Sequence, residues 1–175
     1  MQRYAPTFTL ETEVRKVQRL VIYVRPFLIE DQALSSLDKE ASQLTKMHIF
    51  YNLTTGITRL QGFEKFASLD TIWLNNNKLE SVEGLEDCVR LKEIHLYSNR
   101  LRTLERYSFT SFKFLSRLTL NDNLLDDIEN VLKELKVLRN LISLDLFNNP
   151  IETEDNYRLR VLAAMPTLII LDRHR

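Results

Sequence analysis

The chain has 175 residues, 27% of them charged and 44% apolar, the balance of an ordinary soluble single domain. Lysine plus arginine number 24 and aspartate plus glutamate 24, so the chain as a whole has no net field to draw in nucleic acid or an anionic membrane. Its three glycines, Gly56, Gly62 and Gly84, leave no phosphate-cradling loop, and no run of about 20 apolar residues is present to span a bilayer.

Residues 1–12 hold no apolar stretch behind a basic start, so no signal peptide is expected. Leu10, Val14, Val17, Val21 and Val24 lie on one face of an amphipathic helix that Pro26 would end. The run Leu20-Val21-Ile22-Tyr23-Val24 is also a good β-run, the alternative to that helix. Asp31 is placed to cap a further helix whose Leu34, Leu37, Ala41 and Leu44 share a face suited to covering a first strand. Residues 1–43 are therefore expected to form an N-terminal segment and cap.

Residues 44–149 repeat. The pattern L-x-x-L-x-L-x-x-N occurs as Leu69-Ile72-Leu74-Asn77, Leu91-Ile94-Leu96-Asn99, Leu115-Leu118-Leu120-Asn123 and Leu141-Leu144-Leu146-Asn149. A degraded copy, Leu44, Met47, Ile49 and Asn52, precedes them, followed by Thr54-Thr55-Gly56 as an insertion. After it, Ile57, Leu60, Phe63 and Phe66 run in step with Leu79, Val82, Leu85 and Cys88. From Asn to Asn the spacings are 22, 24 and 26 residues, inside the roughly 20–29 of leucine-rich repeats, which the pattern resembles. The period-two alternation of x-L-x-L-x makes a short strand with both leucines inward. No single repeat can bury its own apolar face, so the expected fold is α/β. It is a solenoid of about five repeats, with a parallel sheet on the concave face and helical and cap segments at the two ends. Asn52, Asn77, Asn99, Asn123 and Asn149 are expected to form an internal ladder, bonding backbone groups that the turn would otherwise bury unpaired. On the convex side the 22-residue repeat leaves room only for an extended or 3₁₀ return. The 26-residue one, with Val131, Leu135 and Leu138 at helical spacing, predicts a short helix.

Residues 150–175 read as a C-terminal cap. Thr153 is a candidate helix N-cap, Tyr157, Val161 and Met165 recur on one helical face, Pro166 ends the helix, and residues 167–172 resemble a last strand. The run N-P-I…Y-R-L-R-V…M-P-T-L-I-I-L-D, from Asn149 to Asp172, resembles the cap of intracellular leucine-rich-repeat proteins of the short, phosphatase-regulator-type class. That class includes the leucine-rich light chain of axonemal dynein, other ciliary members and the spliceosomal A-prime protein. The resemblance implies a non-catalytic scaffold, a monomer within a larger assembly, with an axonemal, dynein or tubulin-associated protein partner. Its implied location is the cytoplasm and the cilium or flagellum, the nucleus being the alternative. The alternative functions are an A-prime-like subunit that binds an RNA-binding protein and a phosphatase regulator. Extracellular leucine-rich-repeat proteins usually protect their ends with disulfides; Cys88 is the sole cysteine, so a reducing intracellular compartment is expected.

No convergent acid, base or nucleophile group is evident, so no catalytic residue, cofactor or metal is expected. His48 and His95 share a register position two strands apart, about 10 Å, too far for a shared metal. Asp122, Asp126 and Asp127 lack the calcium-loop pattern and read as solvated turn residues. The informative surface is the concave one. Its central column is predicted to be His48, Trp73, His95, Thr119 and Asp145, and the next Phe50, Asn75, Tyr97, Asn121 and Phe147. Aromatic side chains facing solvent on one surface are of the type that anchors protein partners, and these ten are the expected partner-binding residues. Direct contact with nucleic acid or membrane is not expected.

Overall fold

The computed structural model describes residues 19–24, 44–51, 60, 63–105 and 109–174, with backbone alone for 19–24 and 48–51. Seven parallel strands form one open sheet in chain order. They are β1 (Arg19–Val24), β2 (Lys46–Tyr51), β3 (Thr71–Trp73), β4 (Glu93–His95), β5 (Arg117–Thr119), β6 (Ser143–Asp145) and β7 (Ile170–Leu171). Residues 20–24 thus take the strand alternative rather than the helix, pairing Arg19 with Lys46 through to Val24 with Tyr51. The helix expected over 31–44 lies outside the described residues except for Leu44, which is buried.

Each short strand turns one central side chain inward. Ile72, Ile94, Leu118 and Leu144 are fully buried, as are the leucines that open and close each motif, such as Leu91 and Leu96. Burying a leucine contributes about 1.5–3 kcal/mol, so a stack of such layers supplies the main driving force for the fold. Leu79, Val82, Leu85 and Cys88 close the core from the convex side in one repeat, and Leu101, Leu104, Phe109 and Phe112 do so in the next. Gly84 is held at a φ of +99°, where a Cβ would meet the Leu60 carbonyl oxygen at 2.5 Å. Only glycine brings the two returns so close.

The return path follows repeat length. The shortest repeat returns through turns, and the 24-residue spacing between Asn99 and Asn123 accommodates a 3₁₀ turn at Phe109–Ser111. The longest carries helix α1 (Ile128–Leu135), with Asp127 at its N-cap accepting from the Asn130 N–H. Asp127 is therefore a capping residue and not merely a solvated turn residue. After Asn149 the chain makes a 3₁₀ turn, Pro150–Thr153, and then helix α2 (Tyr157–Ala164). Thr153 does not cap α2: its hydroxyl donates to the Pro150 carbonyl inside the 3₁₀ turn. Asn156, in the left-handed region, holds the N-cap position without a side-chain cap bond. Tyr157, Val161 and Met165 are buried against the last repeat.

Candidate functional site

Asparagines at the strand exits fix the spacing of the concave face. Asn99 Nδ2 donates to the carbonyls of Leu74 and Leu96, and its Oδ1 accepts from the Leu79 N–H. Asn123 and Asn149 repeat these three bonds one and two turns on. Asn77 donates to the Leu74 carbonyl in its own turn. Asn52 lies outside the described residues. The residue before each of these four asparagines, Asn76, Ser98, Asp122 and Asn148, has positive φ near 56°. Asn, Asp and Ser tolerate that region at a tight exit turn better than larger side chains.

With the turns locked, the register of the sheet sets the columns. His48 pairs with Trp73, Trp73 with His95, His95 with Thr119, and Thr119 with Asp145. The next column follows from the Asn76, Ser98 and Asp122 N–H groups donating to the carbonyls of Tyr97, Asn121 and Phe147. The side chains of His48 and Phe50 lie outside the described residues.

The columns are not uniformly exposed. The Trp73 and His95 rings stack, with centroids 5.2 Å apart and planes 10° apart. Trp73, His95, Tyr97 and Thr119 are each half-buried, and Phe147 is 45% exposed. Asn75 and Asn121, expected to face solvent, are instead buried. Asn121 turns its amide toward the exit loop, donating to Asp122 Oδ2 at 2.6 Å. Asn75 is a short side chain one strand away from Tyr97. What remains for a partner is a ledge of Trp73, His95 and Tyr97, with Phe147 further along.

Hydrogen bonds fix the His95 ring. Its Nε2 lies 3.3 Å from Glu93 Oε2 and its Nδ1 3.2 Å from the Thr119 hydroxyl. A carboxylate only accepts, so the proton sits on Nε2 and Nδ1 accepts from Thr119. Burial holds His95 below its ordinary pKa, opposed by the Glu93 hydrogen bond and charge and reinforced by Arg117. The ring is thus a neutral, oriented plate. Glu93 and Arg117 were not among the expected site residues. Strand periodicity carried the signal, because both precede a central-column residue by two and share its face.

At the other end of the ledge Asp145 is buried, its Oδ2 accepting from Arg173 Nε at 3.0 Å and its Oδ1 from the Phe147 N–H. The Arg173 guanidinium lies 5.8 Å from the centre of the Phe147 ring. Asp145 is therefore occupied by the cap rather than open to a partner. Cys88 is buried under the convex turns, its thiol pushed up to about 12 by burial and by Asp87, Glu86 and Glu64, so it stays protonated and unreactive. Among the described residues no three His, Cys, Asp or Glu side chains converge to hold a metal, and no helix is long and apolar enough to cross a membrane.

A family model described as leucine-rich repeat matches residues 57–175. The acidic leucine-rich nuclear phosphoprotein 32 family member A of Drosophila melanogaster is 33% identical over 134 residues, covering 77% of this chain and 50% of that protein. Human leucine-rich repeat-containing protein 23 is 38% identical over 57% of this chain and 29% of its own length. This chain thus spans half or less of these two relatives. Among solved structures, a chain of the Drosophila melanogaster SNF/U2A′ complex superposes with a TM-score of 0.65 at 24% identity, covering 74% of this chain and 73% of that one. At that identity the likeness speaks for the fold.

Proposed function

The chain belongs to the leucine-rich-repeat family, and from that premise we propose that it is a non-catalytic scaffold whose concave face grips a helix or extended segment of a partner protein. The observation that carries this reading is the stacked Trp73–His95 pair, beside Tyr97, on a sheet whose turns are locked by the asparagine bonds. Half-exposed aromatic rings held rigid before binding lose little entropy on association, and they are the side chains that dominate protein interfaces. The neutral His95 lets an apolar side chain pack on the ledge without burying a charge.

For the setting, the resemblance of the cap to ciliary members supports an axonemal or dynein-associated assembly. A nuclear particle is the second reading, favoured by the nuclear phosphoprotein among the relatives and by the SNF/U2A′ complex among the structural neighbours. Affinity purification of the wild-type chain beside a Trp73→Ala/Tyr97→Ala variant tests both levels. Truncating each anchor is expected to cost about 2 kcal/mol or more, so the variant should fold yet lose the partner. Tubulin or dynein subunits in the wild-type fraction favour the axonemal setting, and ribonucleoprotein subunits the nuclear one. A folded variant that retains the wild-type partner set sinks the concave-face reading.

A further inference from the structure

One lateral edge of the solenoid carries a pattern that the concave ledge does not use. The turns leading into β5 and β6 present Lys113, Lys136 and Arg139, all exposed. Among the described residues no carboxylate pairs with any of the three, whereas Lys92, Lys133, Arg117, Arg160 and Arg173 each have an acidic partner. Beside these cations Phe114 is 59% exposed, Ile142 44% and Ile169 61%. The backbone beneath is tied down. Asn140 Nδ2 donates to the Lys113 carbonyl at 2.7 Å, the Ile142 N–H to the Ser116 carbonyl, and the Ile169 N–H to the Ile142 carbonyl.

Successive turns are about 4.8 Å apart, so these positions make a strip of cations and large apolar groups across neighbouring repeats. The opposite edge, where the chain leaves β5 and β6, carries Asp122, Asp126, Asp127 and Glu152 instead. In the last two repeats, therefore, the cations gather on the entry edge and the acids on the exit edge. We propose that the basic edge docks an acidic segment of a partner protein in which carboxylates alternate with apolar side chains. The cations complement the carboxylates. The phenyl ring and two isoleucines call for apolar side chains, which a sugar–phosphate backbone does not supply.

The test is fluorescence anisotropy with a labelled synthetic peptide alternating Asp and Glu with Leu and Phe. Saturable binding that weakens with added salt is expected, because exposed ion pairs are screened. The triple variant Lys113→Gln/Lys136→Gln/Arg139→Gln should bind at least about tenfold more weakly, as should Phe114→Ser/Ile142→Ser, with wild-type circular dichroism in both. Trp73→Ala should bind the peptide as the wild type does. Absence of binding overturns the proposal, as does undiminished binding to the triple variant or equal binding of a peptide with Gln and Asn in place of its acids. Loss of binding in Trp73→Ala would move the contact to the concave face. Binding of a single-stranded RNA or of phosphatidylserine vesicles through these residues, with the peptide left unbound, would also overturn it.

Discussion

Asn99, itself buried, satisfies two carbonyls and one N–H, and it joins the backbone of two neighbouring repeats in doing so. Asn99→Ala leaves those groups without partners, and chemical denaturation should show a loss of about 1–3 kcal/mol. An unchanged stability would mean the bonds contribute nothing. His95 gives a second residue-level expectation. Its folded pKa is held below the ordinary 6.5, so below that pH the unfolded chain takes up a proton that the folded ring resists. Stability from this group is complete above pH 6.5 and declines as pH falls from there toward the folded pKa. An NMR titration should place the His95 midpoint under 6.5, and Glu93→Gln should lower it further, since Glu93 is what raises it. A midpoint above 6.5 would contradict the burial described.

The elements differ in how far the sequence reveals them. Helix α1 was legible because Val131, Leu135 and Leu138 recur at helical spacing, but its cap was not singled out among three nearby aspartates. Asp127→Ala should cost about 1 kcal/mol, the usual worth of a side-chain N-cap, while Asp126→Ala should cost little in the same melting experiment. Residues 20–24 satisfied two periodicities at once, and pairing with β2, a contact distant in sequence, decided between them. Thr153 misled for a local reason. Pro150 starts a 3₁₀ turn that uses the threonine hydroxyl before α2 begins. The cap as a whole is bound through Asp172, which accepts from the Leu146 N–H and from the Tyr157 hydroxyl. Deleting residues 150–175 should bare the last repeat's core and yield aggregates in size-exclusion chromatography, because solenoid ends need a cover. A folded monomer would contradict the capping role.

Across the whole molecule, the fixed repeat allowed the central column to be read off the sequence, since one residue per turn occupies each register position. What the repeat did not reveal were departures from periodicity. The burial of Asn121 depends on its own bond to Asp122, and Arg173 reaches Asp145 across 28 residues from a cap that follows no repeat. The separation of cations from acids in the last two repeats is likewise hidden by a balanced total charge. The central claim, that the concave face is the binding surface, has a built-in reporter: Trp73 is the only tryptophan in the chain. Titrating the purified chain with the captured partner, labelled and carrying no tryptophan in its contact segment, while following the Trp73 indole N–H resonance tests it most directly. A partner held on the concave face shifts this signal, which saturates with the affinity measured from the partner's own label, while the backbone amide of convex Lys133 stays in place. Saturation of the partner with the Trp73 signal unmoved would contradict it.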